Sequence, residues 1–421
     1  MITTRASLVL MSAFIASLAL NGCSAASQDD SGESEEDVKT NPNLAQMNDV
    51  STLLPLAKTQ NEFDAYLSAS SIGVGGDLFP ETVFDKATGA KPGGDTGSGG
   101  VGSSPTIQWK DLRVVAFRID PCFANIGPVT DASKCDNQLR LLFQPLAFSG
   151  TATSALDDGV HVFYSLTRDQ LTSLVQDVIK IRQENGGTKD LGALGVHPII
   201  ASQGLTGAEW TALSADLLKY AGSSNLMRFT EFQNGNLDTT WTFEGFDIAK
   251  GKPTPMVIPT LPSKGTSEEF FVGFGAGFNG GFTPSTNATD DMQVLGNTAA
   301  AGKASKADAQ SAFDAALRIQ NPGFHSPNTI DCASCHMAEP AQVVTGAQLK
   351  LSATGNANAF VANSKYVKAA DMKEKTAEGM KDGLNIHMFS YKDSNPMVQA
   401  RVINESASIV TYLNSSVLTG K

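Results

Sequence analysis

The sequence predicts an α+β domain with mainly antiparallel strands and two helices, followed by a smaller, mostly α-helical domain. In the first part, strand-like runs rich in β-branched and aromatic residues form two groups, and two amphipathic helices separate the groups. Strands that come in groups, instead of alternating one by one with helices, indicate an α+β architecture rather than a wound parallel sheet. The pattern becomes helical after residue 304. We therefore expect an α+β domain at 49–303 and a helical domain at 304–421.

The chain starts with the pattern of an export signal. Arg5 precedes an apolar run from Leu8 to Leu20, which at about a dozen residues is too short to span a bilayer. The run ends in Leu20-Asn21-Gly22-Cys23, which resembles the signal of bacterial lipoproteins. The resemblance implies that 1–22 is removed, that Cys23 carries lipid, and that the protein is anchored in a bacterial envelope, with the outer membrane favoured. The alternative is an ordinary secretory signal with an incidental cysteine.

An acidic segment follows the signal. Residues 29–37 read Asp-Asp-Ser-Gly-Glu-Ser-Glu-Glu-Asp, and charge runs of this kind are usually solvated. We expect 23–48 to form a tether, so that the protein meets the membrane through its lipid anchor only. The formal net charge is −12. This charge argues against nucleic acid as a partner and favours a protein with a basic docking face.

The N-terminal part of the α+β domain is rich in turn residues. A modest helical pattern at 49–71 precedes a stretch at 73–105 that is dominated by Gly, Ser, Thr and Pro, and we expect a long loop there. G-x-G-x-x-G matches occur at 97–102 and at 275–280. Neither match opens a helix, so no nucleotide site is predicted.

The two helices of this domain have recognisable starts. Thr167 and Gln170 form a capping box before an apolar helical face that ends at Gly186-Gly187. A short strand at 196–200 leads to a second helix, with a box from Thr206 to Glu209. The other strands are predicted at 112–119, 139–144, 160–166, 227–232, 239–246, 256–258 and 270–274.

The histidines of this domain carry no recognisable catalytic motif. His161 and His197 both lie in Gly-Val-His contexts within apparent strands, so we expect hydrogen-bonded structural histidines. G-x-S-x-G, H-E-x-x-H and P-loop patterns are absent from the sequence. The sequence therefore gives no support for a hydrolase, a zinc protease or a nucleoside triphosphatase.

The C-terminal part places a motif between two predicted helices. Ser305 and Asp308 cap a helix at 306–320, and a final helix is predicted at 397–414. Between them lies Cys332-Ala333-Ser334-Cys335-His336. Two thiols at this spacing can reach the two vinyl groups of one porphyrin, and the next side chain can offer an imidazole to the iron. One alternative is a zinc-binding Cys pair, but zinc would need a second Cys/His pair nearby, and the sequence has none. Another is a thioredoxin-like redox pair, which should open a helix after a strand in a βαβ unit, whereas this motif follows a loop.

This C-x-x-C-H motif resembles the haem attachment site of c-type cytochromes. The resemblance covers about the last quarter of the chain and implies a cytochrome c-like haem domain at 304–421. It implies one haem c bound covalently by Cys332 and Cys335, with His336 as the proximal iron ligand. The segment at 406–413 looks like the C-terminal helix that packs on the haem edge in small monohaem cytochromes.

The remaining cysteines predict a disulfide. The chain has five cysteines, and lipid at Cys23 and haem at the motif leave Cys122 and Cys135. In an oxidising compartment these two should pair. Two buried free thiols are the alternative.

The second axial ligand of the iron is not fixed by spacing. His325 precedes Cys332 at a distance that resembles a bis-histidine site, and it is the favoured candidate. His387 and Met388 are adjacent candidates, and Met397 lies at roughly the spacing of the distal Met in monohaem cytochromes. An open iron position is the remaining alternative.

These assignments predict an extracytoplasmic, lipid-anchored monohaem cytochrome that carries single electrons to or from a protein partner. Electron transfer is favoured over enzymatic catalysis. One alternative is a haem enzyme or gas sensor with an open iron site. Another is a surface binding or scaffold lipoprotein in which haem is structural.

Overall fold

The computed structural model describes residues 41–89, 107–122, 135–187, 190–234, 240–271, 290, 305–373 and 386–419. The predicted signal, Cys23, the acidic run and both G-x-G-x-x-G stretches lie outside these ranges. Residues 41–48, which the tether prediction includes, are described. Ala45 and Met47 are buried, so the packed part of the chain starts before residue 49.

The predicted α+β class with a mainly antiparallel sheet is confirmed. Nine strands form one antiparallel sheet in the order β1-β4-β5-β7-β8-β9-β10, with β6 beside β5 and β11 beside β9. Two short hairpins, β2–β3 and β12–β13, lie outside this sheet. The strands are β1 Ser51–Leu53, β2 Ile72–Gly73, β3 Gly76–Asp77, β4 Leu112–Asp120, β5 Asn137–Phe148, β6 Thr153–Ala155, β7 Gly159–Leu166, β8 Leu226–Asn234, β9 Thr240–Ala249, β10 Lys252–Pro255, β11 Ser267–Phe271, β12 Phe389–Lys392 and β13 Asn395–Val398.

Nine helices lie within the described ranges. They are α1 Met47–Val50, α2 Gln60–Asp64, α3 Glu81–Gly89, α4 Arg168–Gly186, α5 Pro198–Gln203, α6 Ala208–Leu217, α7 Lys306–Gln320, α8 Cys332–Leu349 and α9 Ala400–Tyr412. The predicted capping boxes of α4 and α7 are confirmed. None of the helices in the described ranges is long and apolar enough to cross a membrane.

Several predicted elements differ in the structure. The predicted strand at 196–200 is α5, because Pro198 at the first helical position has a preset φ and His197 caps the helix. α6 has Gly207 at its N-cap and no side-chain cap. The strand predicted at 256–258 lies earlier in the chain, as β10 at Lys252–Pro255. The final helix, predicted to start at residue 397, starts only at Ala400, because 395–398 forms strand β13. The predicted loop at 73–105 contains β3 and α3.

The two faces of the sheet have different compositions. Across β4, β5, β7 and β8, the first face carries a row of fully buried apolar neighbours: Phe117, Leu141, Val162 and Phe229. This row belongs to the main hydrophobic core, together with apolar residues of α4 and α6. Because successive strand residues alternate in direction, the next row lies on the second face, and it consists of Arg118, Arg140, Phe163 and Arg228.

The C-terminal helices pack on the rest of the chain. α9 contributes Val402 and Val410 to the main core. A second core joins Phe243 of the sheet to Ala316 of α7 and Met337 of α8. Both cores therefore contain residues from both sides of the predicted boundary at 303/304, and among the described residues the boundary does not separate two hydrophobic cores.

Candidate functional site

A cavity of about 250 Å³ lies between the second face of the sheet and the start of α8. The sheet contributes side chains from β4, β5, β7 and β8, and the start of α8 contributes Cys332, Cys335 and His336. The lining also includes residues of β12 and α9. All three residues of the predicted haem motif therefore border one space.

The start of α8 is held by buried hydrogen bonds. Asp331 is fully buried and caps the helix, because its Oδ2 accepts from the backbone N–H of Ser334 at 2.7 Å. The Thr260 hydroxyl donates to the other carboxylate oxygen at 3.0 Å. Glu268 accepts from the N–H of Ala333 at 3.0 Å. These contacts fix the turn that carries the first motif cysteine.

Both motif cysteines are unpaired thiols. Cys332 and Cys335 lie three residues apart on α8, so they share one face of the helix. Burial raises the pKa of the Cys335 thiol to about 11 and that of Cys332 well above its ordinary value. Both groups are therefore protonated at neutral pH.

His336 has the orientation and protonation of a metal ligand. Its Nδ1 lies 2.6 Å from the carbonyl oxygen of Ile386, and a carbonyl only accepts, so Nδ1 carries the hydrogen and Nε2 keeps its lone pair. The rings of Phe232 and Phe243 lie with their centroids 5.4 and 5.1 Å from the imidazole. Burial lowers the pKa of His336 to about 4, which keeps the imidazole neutral. A ligating histidine is commonly held in this way, by a carbonyl on its other nitrogen.

A buried charged cluster lies at another part of the cavity. Arg118 donates to Asp120 at 2.6 Å and also pairs with Glu405. Arg140 contacts Asp120 at 2.9 Å, and Arg401 donates to Glu405 at 2.7 Å. Three guanidinium groups thus share two carboxylates. The buried Nε–H of Arg140 has no hydrogen-bond partner among the residues that the structure describes. The cluster therefore has a spare cation and a spare donor for an anionic group.

The structure does not bring the favoured distal candidate, His325, to this cavity. Its Nε2 lies 2.5 Å from Asp290 and its Nδ1 3.3 Å from Thr329, so both ring nitrogens are engaged. Met397 is buried in the β12–β13 hairpin and is also outside the lining.

The adjacent candidates His387 and Met388 differ in position. The His387 ring contacts Asp157 at 2.6 Å through Nε2 and Ser390 at 2.7 Å through Nδ1, and it is not part of the lining. Met388 borders the cavity. Of the four predicted distal candidates, only Met388 reaches the site.

One histidine at the cavity was not predicted as a site residue. His161 is half-buried and borders the cavity from β7. Neither of its ring nitrogens makes a hydrogen bond to the described part of the chain. His197, by contrast, is the structural histidine that was expected, since its Nδ1 accepts from the N–H of Ile200 at 3.4 Å. The signal for His161 lay in the strand pattern, where it alternates with the buried Val160 and Val162 and so must face the other side of the sheet.

The predicted disulfide is confirmed. Cys122 and Cys135 are bonded, with their Cα atoms 5.2 Å apart. The bridge joins the end of β4 to the start of β5, and Cys135 borders the cavity.

The residues present fit a c-type haem. They supply two thiols, a neutral imidazole with an available nitrogen, and spare positive charge suited to propionate carboxylates. No cluster of three or more His, Cys, Asp or Glu side chains suited to a bare metal ion occurs in the described ranges. Haem does not require such a cluster, because the porphyrin itself supplies four nitrogen ligands.

Comparison with known proteins does not assign the chain to a family. No family model, curated protein or solved structure matches it.

Proposed function

We propose that this protein is an exported, lipid-anchored c-type cytochrome with one haem, which carries single electrons to or from a protein partner. The observation that carries the proposal is the position of the C-x-x-C-H residues. Cys332, Cys335 and His336 border one cavity, and the Nδ1–H of His336 is occupied by the carbonyl of Ile386. If the motif were incidental, there would be no reason for its three residues to border one cavity or for His336 to be held by a backbone carbonyl.

Each motif residue has a defined role in this proposal. Cys332 and Cys335 would each add an S–H across one vinyl group, which forms a C–S and a C–H bond and requires no oxidant. His336 would bind the iron through Nε2, and the carbonyl of Ile386 would fix the ring and increase its basicity. When bound, haem c supplies a one-electron couple between ferric and ferrous iron.

The surroundings of the cavity suit a buried haem with anchored carboxylates. Arg140 offers its unpartnered Nε–H, and Arg118 and Arg401 add positive charge around two carboxylates. The rings of Phe232 and Phe243 lie against the His336 ring and shield it from water. A haem shielded in this way changes its hydration little between redox states, which suits a carrier. The α7–α9 part would then be the cytochrome c-like unit, with the sheet as the other wall of its haem site.

The localisation and the partner follow from the sequence. The signal and Cys23 favour a lipid anchor on an extracytoplasmic face, where cytochromes c are matured. The net charge of −12 favours a redox partner with a basic docking face.

Covalent haem is the test of this proposal. The protein is produced in a bacterial host with a cytochrome c maturation system, denatured, and extracted with acid acetone. We expect haem stain to stay with the chain. Cys332→Ala and Cys335→Ala should leave one thioether link or no haem. The matched control is the double variant Cys122→Ser/Cys135→Ser, which removes the disulfide outside the motif and should keep the stain. Complete loss of pigment from the wild-type chain on extraction would refute the proposal.

A further inference from the structure

We propose that His161, on the central strand of the sheet, is the second axial ligand of the haem iron, so that the iron is bound by two histidines. The inference rests on the proposed function, since it requires haem at the C-x-x-C-H motif. It replaces His325, whose ring nitrogens are both engaged elsewhere.

The position of His161 follows from the register of three strands. Its neighbours across the sheet are Leu142 on β5 and Thr230 on β8, and all three residues border the cavity. The residues before and after it, Val160 and Val162, are fully buried in the main core on the first face. A β-strand cannot turn one side chain to the other face without shifting its register by a residue. The imidazole is therefore held on the cavity side by the packing of both neighbours.

His161 and His336 border the same cavity from different elements of the fold. His161 comes from the sheet, and His336 comes from α8.

The ring nitrogens of His161 make no hydrogen bonds to residues in the described ranges. His197, His325 and His387 each use at least one ring nitrogen in a hydrogen bond. This difference separates His161 from the other histidines.

Two methionines border the cavity as competitors, and both are less well placed. Met388 lies two residues after Ile386, whose carbonyl holds His336, so this segment belongs to the proximal side. The Met256 sulfur packs over Gly245 of β9, only 2.2 Å from the point where a Cβ on that glycine would lie. It therefore acts as a filler against the neighbouring strand.

Ligation by two histidines would define the chemistry of the site. Both axial positions of the iron would be occupied in both redox states, so oxygen, carbon monoxide and peroxide would have no open coordination position. Histidine in place of methionine also lowers the reduction potential. The site would then be an electron carrier of low potential rather than a sensor or a peroxidase.

The test uses the haem-loaded protein and its spectra. Near-infrared magnetic circular dichroism of the ferric wild type should show the signature of two histidine ligands. In His161→Ala we expect haem that remains covalently attached, ferric iron that becomes high-spin, and ferrous iron that binds carbon monoxide. Added imidazole should restore the low-spin spectrum. His161→Met should remain low-spin with a raised reduction potential. His325→Ala, as the matched control, should have the wild-type spectrum.

The outcomes separate this inference from the proposed function. If the wild type has no covalent haem, both fail. If haem is attached but His161→Ala remains low-spin and does not bind carbon monoxide, only the inference is overturned. The same holds if the wild type shows histidine–methionine ligation, or if Met388→Leu or Met256→Leu opens the iron instead. Should His161→Ala not accumulate, a two-histidine spectrum in both the wild type and His325→Ala supports the inference, and any other ligation in the wild type overturns it.

Discussion

Glu405 holds together the charged cluster beside the cavity, and its removal should have a large and pH-dependent effect on stability. The carboxylate lies on α9 and pairs with Arg118 of the sheet and with Arg401 of its own helix. All three residues are buried. Glu405→Gln keeps the size of the side chain and removes its charge. The two arginines would then have only Asp120 as a carboxylate partner within the cluster, and buried cations without partners are costly.

The magnitude follows from the pKa of this carboxyl group. Burial alone would raise the pKa of Glu405, but the charges of Arg118 and Arg401 outweigh burial and lower it from 4.5 to about 2. A shift of this size corresponds to about 3 kcal/mol of folding free energy. Because the folded-state pKa lies below the unfolded one, this contribution is complete above about pH 5. It is lost as the pH falls towards 2, where wild-type Glu405 becomes protonated.

Urea unfolding at several pH values measures this effect. At pH 7 we expect Glu405→Gln to lower the free energy of unfolding by about 3 kcal/mol. At pH 2 the gap to the wild type should shrink to less than about 1 kcal/mol. The matched control is Glu184→Gln, which removes a carboxylate from an exposed pair with Lys180 at 3.9 Å. Its effect should remain within about 0.5 kcal/mol at any pH. The reasoning would be contradicted if the difference in unfolding free energy between Glu405→Gln and the wild type did not change with pH. It would also be contradicted if this difference were as small as that of Glu184→Gln.

Three further predictions concern other parts of the chain. Cys122→Ser/Cys135→Ser should lower the free energy of unfolding by about 3 kcal/mol, because the bridge closes a short loop; an unchanged urea midpoint would argue against this. Cys23→Ala should move the protein from the membrane fraction to the soluble extracytoplasmic fraction, and a variant that stays membrane-bound would show that another anchor exists. Gly159→Ala should cost about 1–3 kcal/mol, because a Cβ there would lie 2.6 Å from the Phe232 ring. Adding Phe232→Leu should recover part of this loss if the clash is the cause, and an equal loss in the double variant would exclude it.

The elements that were predicted well are those specified by local sequence. The capping boxes before α4 and α7 give the starts of both helices, because the cap and its partner are three residues apart and need no distant contact. The strands of the main sheet follow from β-branched and aromatic runs in the same way. The failures at 196–200 and 395–398 are short segments, where propensity is weak and packing decides. Val196 pairs in an isolated bridge with Leu53, a distant partner that no local pattern reveals.

The sequence by itself determined the chemistry of the candidate site. The order Cys332, Cys335 and His336 places two thiols and an imidazole within little more than one helical turn, because these residues are close together along the chain. Assigning the other three cysteines left Cys122 and Cys135 as a pair, and the structure contains this disulfide.

Only the tertiary structure decided what faces that motif. His325 was favoured because it is near the motif in sequence, but its ring is held by Asp290 and Thr329. His161 lies far away along the chain and yet borders the same cavity, because the antiparallel register of the sheet points it away from the main core. The physical reason is that a strand fixes which face a side chain takes, whereas the element that covers this face depends on packing across the whole chain. Residues close together in the sequence therefore supply the motif side of the cavity, and the tertiary fold brings the sheet residues to it.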